Sequence, residues 1–217
     1  MLFIVTLGII RAGDIFLSFL GEELHIYIAY KNHSGFLSCF ILRFIELDKP
    51  VFGLKDFDLE LGCQKAYIEP GFDKLLAEKT IILKCTLKDA SFLGVKGGGG
   101  LSALFDKITD NVYDTIYAKL FIYNDRVRFP FCSAYSKDIR LYASGSMTEK
   151  GDLDLSMKVF FSPFIAAQFP EELSDILTQE SGGWVSYRLH IENGKDKPFL
   201  KFESDKFRLN FEQVEIH

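Results

Sequence analysis

Four histidines and four cysteines are the residues of this chain that could act as bases, nucleophiles or metal ligands. They are His25, His33, His190, His217, Cys39, Cys63, Cys85 and Cys132. A metal site needs clustered ligands, and a nucleophile needs a base within hydrogen-bond reach. These residues are widely spaced, without a CxxC, HExxH or GxSxG motif. The pattern therefore predicts no enzyme, no metal site and no cofactor.

The cysteines stand in apolar or strand-like stretches, which favours buried free thiols. Their even number leaves disulfides open in an oxidising compartment.

A run of glycines, Gly97–Gly100, precedes an apolar stripe at helical spacing that begins at Leu101. A phosphate-binding loop would need Gly-Lys-Ser/Thr after its spacer residues, and Leu101 and Ser102 stand there instead. The run is therefore interpreted as a connector to a surface helix over residues 101–112.

The composition indicates a sheet protein that does not bind nucleic acid. The net charge is −5 and the pI is near 5.4, whereas nucleic-acid binding needs a basic footprint. The chain contains 22 Phe among 217 residues, and aromatic residues favour strands.

Residues 1–20 form a separate apolar segment ahead of a domain that covers residues 21–217. Arg11 and Asp14 interrupt the apolar run, and a spanning helix needs about 20 apolar residues. The segment lacks a positively charged start and a clear cleavage site, so it does not match a signal peptide. We expect either a membrane anchor, or its remnant, or an apolar helix that caps the domain.

Strict alternation of apolar and polar residues recurs along the rest of the chain and predicts strands with one apolar face. The stretch Leu153–Val159 is typical, and Val185–Ile191 repeats it. Asn124 and Asp125 predict a hairpin turn after which Val127, Phe129 and Phe131 share one face. Short helices are expected near 72–76, after Pro163 and after Pro170. The sequence thus predicts a mainly β fold, a curled antiparallel sheet of groove or taco-like shape, with two or three short helices.

The second half of the chain resembles the C-terminal region of AsmA-like proteins. The resemblance runs through "GSMTEKGDLDLSMKVFFSPFIAAQFPEEL" and the closing "GGWVSYRLHIENGKDKPFLKFESDKF". The residues that carry it are Gly145, Gly151, Asp152, Leu153, Pro163, Pro170, Gly183, Gly194 and Pro198.

The resemblance implies a non-catalytic envelope protein of a diderm bacterium, anchored in the inner membrane or periplasmic and related to TamB-type bridge-like proteins. Such a protein would hold phospholipid acyl chains in an apolar β-groove and aid lipid transport or outer-membrane biogenesis. Its implied partners are phospholipid, the inner membrane and other envelope proteins. The expected groove-lining residues are Leu120, Ile122, Val127, Phe129, Ile139, Leu141, Leu153, Leu155, Met157, Val159, Val185, Tyr187, Leu189, Ile191, Phe207 and Leu209.

Two alternatives stay open from the residues alone. The apolar face would equally suit a closed core in an envelope assembly module that recruits partners by strand addition. Separately, five basic residues are interpreted as the solvated outer face of the sheet, with a rim for anionic headgroups as the alternative. Trp184 is interpreted as a strand-edge core residue, with an interfacial aromatic as the alternative. The basic residues are Lys119, Arg126, Arg128, Arg140 and Arg188.

Overall fold

A computed structural model describes most of the chain and defines one sheet with helices packed on it. The described residues are 2–24, 26–38, 41–54, 60–93, 102–123, 126–148, 152–171, 173, 177–194, 197–204 and 208–211. The strands are β1 (Ile26–Ala29), β2 (Asn32–Ser38), β3 (Ile41–Asp48), β4 (Val51–Leu54), β5 (Glu60–Gly62), β6 (Lys65–Gly71), β7 (Ile81–Leu93), β8 (Val112–Tyr123), β9 (Arg126–Tyr135), β10 (Ile139–Thr148), β11 (Leu153–Phe161), β12 (Thr178–Gln179), β13 (Val185–Gly194), β14 (Lys197–Glu203) and β15 (Arg208–Phe211). The helices are α1 (Leu2–Glu23), α2 (Leu75–Glu78), α3 (Ser102–Thr109) and α4 (Pro163–Ala166).

Every strand pairs antiparallel with its neighbours, in an order that follows the chain as a meander. Three rows consist of two segments each, because β1 with β2, β3 with β4, and β5 with β6 run end to end. The order then continues through β7, β8, β9, β10, β11, β13, β14 and β15, while β12 pairs with the start of β13. Within the described residues β1 and β15 do not pair, so the sheet is open. The predicted mainly β, antiparallel fold class is confirmed.

The backbone is irregular in the first rows of the sheet, at the points where two strand segments meet end to end. Lys49 and Asp89 have φ of 47° and 51°, in the left-handed region that non-glycine residues rarely adopt. Single hydrogen bonds bridge the break, from Lys49 N to Gln64 O and from Gln64 N to Lys88 O, both 3.0 Å. Because such bulges bend strands and increase their twist, this part of the sheet turns away from a flat plane.

The register keeps apolar residues on one face, the inner face, and polar residues together with several aromatic rings on the other, the outer face. In β11, Val159 lies opposite Leu141 of β10 and Tyr187 of β13, whereas Lys158 lies opposite Tyr142 and Arg188. The alternation continues to the end of β11, since Phe161 is fully buried and Phe160 lies on the outer face against Tyr142. The predicted alternation of β11 and β13 is therefore confirmed.

Phe131 lies on the outer face, so the prediction that it shares the face of Val127 and Phe129 is wrong. It pairs with Lys119, whereas Phe129 pairs with Gly145, and the register shifts between these two points. The cause is Pro130, which has no N–H to give to a ladder and is accommodated in an inner strand at a bulge.

Helix α1 packs its second half on the first strands. Phe16, Leu17 and Leu20 are buried, and the ring of Phe16 meets that of Phe72 edge-on at 5.9 Å. The Tyr30 hydroxyl donates a hydrogen bond of 2.9 Å to Asp14, and burial, with this bond to a carboxylate, raises the pKa of Tyr30. No helix in the described part of the chain is long and apolar enough to cross a membrane.

Helices α2 and α4 lie where short helices were expected. Helix α3 ends at Thr109, so the predicted extension of this helix to residue 112 is wrong, because Val112 pairs with Ser91 of β7 and begins β8. Helix α4 begins at Pro163, and Ser162 caps it by accepting a hydrogen bond from Ile165 N at 3.4 Å. The helix predicted after Pro170 and the glycine run 97–100 fall largely or wholly outside the described residues.

Candidate functional site

The inner face of β8, β9, β10, β11 and β13 is the candidate site. Over these strands its described side chains are apolar apart from the hydroxyl groups of Tyr113 and Tyr187, and none of them is charged. Such a face can exclude water and hold apolar groups. It offers no charged partner to a polar headgroup.

One end of this face is closed by protein. Phe161 packs edge-on against Phe169 at 5.0 Å and stacks with Tyr187 at 6.0 Å. Leu104 and Ile108 of α3 are buried in the same core, and the Tyr113 hydroxyl donates to Ile108 O at 3.0 Å. Burial raises the pKa of Tyr113, which holds its hydroxyl in the neutral form.

The structure divides the predicted lining residues by their burial. Eight belong to the closed core, each with no more than 8% of its surface exposed: Ile122, Val127, Ile139, Leu141, Val159, Val185, Tyr187 and Leu189. Six are only partly buried and reach solvent: Leu120, Phe129, Leu153, Leu155, Met157 and Ile191. Phe207 and the side chain of Leu209 lie outside the described residues.

We call these six partly buried residues the open strip. The register aligns Phe129, Gly145, Leu155 and Ile191 across neighbouring strands. Met157 lies one inner-face position further along β11, between Ala143 and Leu189. The strip crosses five strands at about 4.8 Å spacing and is therefore about 19 Å long, comparable to an extended acyl chain.

A line of small side chains runs beside the open strip. Cys85, Ala118, Cys132 and Ala143 face one another across β7, β8, β9 and β10. These small side chains extend less far from the sheet than the larger side chains of the open strip on one side and of the closed core on the other. No direct signal in the sequence marks this line, because it appears only once four strands are in register.

The thiols in this line are chemically quiet. Burial raises the pKa of Cys132 to about 11 and that of Cys85 to about 12, the neighbouring Cys132 adding to the second shift. Both are free, as is Cys63, whereas Cys39 lies outside the described residues. A protonated thiol is neither a nucleophile nor a metal ligand, which fits the prediction of free thiols.

Phe129 has a defined place in the strip because Gly145 makes room for it. A Cβ at Gly145 would stand 2.9 Å from the Phe129 ring and would overlap the backbone carbonyl oxygen of Asp154. The phenyl ring therefore lies across the glycine of the neighbouring strand and fills part of the strip.

A polar cluster on the outer face has residue types that could do chemistry. Ser156 Oγ lies 3.1 Å from His190 Nδ1, and His190 Nε2 lies 3.8 Å from Glu192 Oε2. The second distance is too long for a hydrogen bond, and the cluster lies on an exposed strand face without a cleft. Among the described residues no group of three potential ligands could hold a metal ion.

No family model, no curated protein and no solved structure matches this chain.

Proposed function

We propose that this protein is a non-catalytic lipid-binding protein whose open strip holds phospholipid acyl chains. The observation that carries the proposal is an uncharged, apolar, partly exposed strip on a sheet that is otherwise well packed. Large apolar surfaces left partly open on a folded protein mark binding sites.

Acyl chains fit this strip by chemistry and by size. The strip is a few side chains wide and is lined by aliphatic residues, one methionine and one phenyl ring. Removing apolar surface from water stabilises a complex by roughly 25 cal/mol per Å². The flexible Met157 side chain suits a ligand without fixed shape.

The proposal extends to a cellular role through the AsmA-like resemblance. A groove of this kind would serve a cell-envelope protein, anchored in the inner membrane or periplasmic, that aids phospholipid transport or outer-membrane biogenesis. Residues 1–20 would then contribute membrane attachment through the part of α1 that precedes the packed Phe16, Leu17 and Leu20.

Lipid analysis of the purified protein tests the proposal. The full chain is purified without detergent, extracted with organic solvent and analysed by mass spectrometry. Co-purified phospholipid at a constant ratio to protein is expected. Repeated recovery of folded, monomeric, lipid-free protein that also fails to take up added phospholipid would overturn the proposal.

The closed-core assembly module is the alternative, and the burial of residues such as Leu141, Val159 and Leu189 favours it. In that case the partly exposed side chains of the strip would be the rim of a packed core. Lipid-free protein that captures an envelope protein through a sheet edge would support this second function.

A further inference from the structure

The outer face of the sheet carries a second surface that the open strip does not explain. We name it the outer patch and define it by Lys119, Arg126, Arg128, Phe131, Tyr135 and Arg140. The register places all six on the outer face of β8, β9 and β10: Lys119 lies opposite Phe131, and Arg140 lies opposite Tyr135. The patch follows β9 over about 30 Å.

The cations of the outer patch form no ion pairs with neighbouring acids. Strands β9 and β10 contain no acidic residue, the acid of β8, Asp114, lies five residues from Lys119, and the outer-face acid of β11, Asp154, lies two strands from Arg128. No carboxylate among the described residues forms an ion pair with a patch cation. Asp125, in the turn before Arg126, lies outside the described residues. A local excess of cations in a chain of net charge −5 therefore faces solvent.

Two of the patch cations rest on aromatic rings instead of carboxylates. Lys119 Nζ lies 5.1 Å from the centre of the Phe121 ring, and the Arg140 guanidinium lies 4.3 Å from the centre of the Trp184 ring. A cation over a ring keeps its charge available to an outside anion, whereas a cation in an ion pair does not.

The aromatic residues of the patch are unusually exposed. Phe131 is 44% exposed and Tyr135 is 37% exposed. Tyr117 and Tyr142 extend this apolar surface, at ring distances of 6.0 Å from Phe131 and 5.8 Å from Tyr135. Aromatic rings beside Lys and Arg suit the headgroup region of a bilayer, where rings meet acyl carbon and cations meet phosphate.

We propose that the outer patch docks the protein on the surface of an anionic phospholipid bilayer. Charge complementarity carries the proposal, since four cations lie along one face of the sheet over the length of β9. A nucleic acid would use the same cations, but the acidic chain as a whole would repel an extended polyanion, whereas a bilayer contacts only the face it meets. This inference goes beyond lipid binding in the open strip, because the two surfaces lie on opposite faces of the sheet.

Vesicle sedimentation tests the proposal with vesicles of phosphatidylethanolamine containing about a third phosphatidylglycerol, against vesicles of phosphatidylcholine alone. The wild-type protein is expected to sediment with the anionic vesicles and not with the neutral ones, and to dissociate in high salt. Each Lys or Arg near an anionic surface contributes about fivefold to partitioning. Arg126→Gln with Arg128→Gln should therefore weaken binding about 25-fold.

The matched control is Lys31→Gln with Arg43→Gln, which removes the same charge at exposed positions far from β9. It should bind like the wild type. Phe131→Ser, which keeps every charge, should weaken binding to anionic vesicles as well, and circular dichroism checks that each variant folds. A patch variant that does not fold is replaced by Arg128→Gln alone, for which about fivefold weaker binding is expected.

Three results would overturn the proposal: equal binding to neutral and anionic vesicles, a patch variant that binds like the control, or displacement of the protein from vesicles by a single-stranded oligonucleotide at lower concentration than by free lipid. The lipid analysis tests the open strip and the vesicle assay tests the outer patch, so a negative result in one leaves the result of the other unchanged. The Arg126 and Arg128 variant is expected to retain its co-purified lipid.

Discussion

A pair of matched aspartate substitutions in the sheet separates an open strip from a packed core. Leu155 is partly exposed in the strip, whereas Leu189 is 2% exposed and lies between Met157 and Phe202 in the register. Leu155→Asp and Leu189→Asp therefore place the same charge on the same face, at positions that differ mainly in burial.

The expected loss of folding stability differs several-fold between the two variants. A carboxylate at position 189 would be buried without a partner, which costs about 3–5 kcal/mol, against a total stability of about 5–15 kcal/mol. At position 155 the carboxylate reaches water, and the loss is about half of the 1.5–3 kcal/mol that a fully buried leucine contributes, or about 1 kcal/mol. For a chain of this length that is a fall in Tm of about 2–4 °C.

Ser156→Asp is the control, because Ser156 is exposed on the outer face one residue away. Each variant is measured by urea unfolding and by the ratio of co-purified phospholipid to protein. Leu155→Asp should fold, and its ratio of co-purified phospholipid to protein should fall at least tenfold, since an acyl chain would have to desolvate the new charge. Ser156→Asp should keep both stability and lipid, and Leu189→Asp should unfold or come close to it.

The reasoning fails if Leu155→Asp is as destabilised as Leu189→Asp, because the strip would then be a packed core. It also fails if Leu155→Asp folds and retains wild-type lipid. Leu155→Trp, which fills the strip without adding charge, checks the second outcome and should likewise reduce bound lipid.

Three further predictions concern the thiol line, the glycine beneath Phe129 and the loop after β12. Cys132, with its pKa near 11, should react with a maleimide at pH 7.5 about 300-fold more slowly than an exposed thiol. The rate should rise about tenfold per pH unit, because only the thiolate reacts, and a rate near that of glutathione would contradict this prediction. Gly145→Ala should lower stability by about 1–3 kcal/mol in urea unfolding, because β11 must move away from the new methyl group, and an unchanged midpoint would refute the close approach. Hydrogen bonds of 2.7 Å from Lys158 and from Ser186 lower the pKa of Glu180. The advantage of wild type over Glu180→Gln should therefore be full above the ordinary glutamate pKa and shrink as the pH falls through the lowered pKa of the folded protein. An advantage that does not change between about pH 7 and strongly acidic pH would argue against the ion pair.

The alternation in the sequence was sufficient to assign faces where strands are regular. Leu153 to Val159 and Val185 to Ile191 lie as predicted, because period two is a property of any half-buried strand. Phe131 shows where this reasoning fails, since the bulge at Pro130 shifts the register by one residue and moves the side chain to the other face.

The extent of the open strip could not be predicted, because it depends on what covers the sheet. Leu155 and Val159 have the same type of neighbours in the sequence, yet Val159 is fully buried and Leu155 is only partly buried. The basic residues Lys119, Arg128 and Arg140 could be singled out from the sequence as an outer face or a headgroup rim. Their alignment with the exposed rings of Phe131 and Tyr135 could not, because it depends on the register of three strands and on the bulge in β9.

The central claim, that an acyl chain lies on the inner face, is tested most directly by photo-crosslinking at two adjacent positions. A photoreactive phenylalanine analogue is introduced at position 155 or at position 156 of the full chain, which is then loaded with radiolabelled phosphatidylglycerol and irradiated. Labelled protein is expected from position 155 and little from position 156, whose side chain lies on the outer face. Equal labelling at both positions, or labelling at 156 alone, would contradict it.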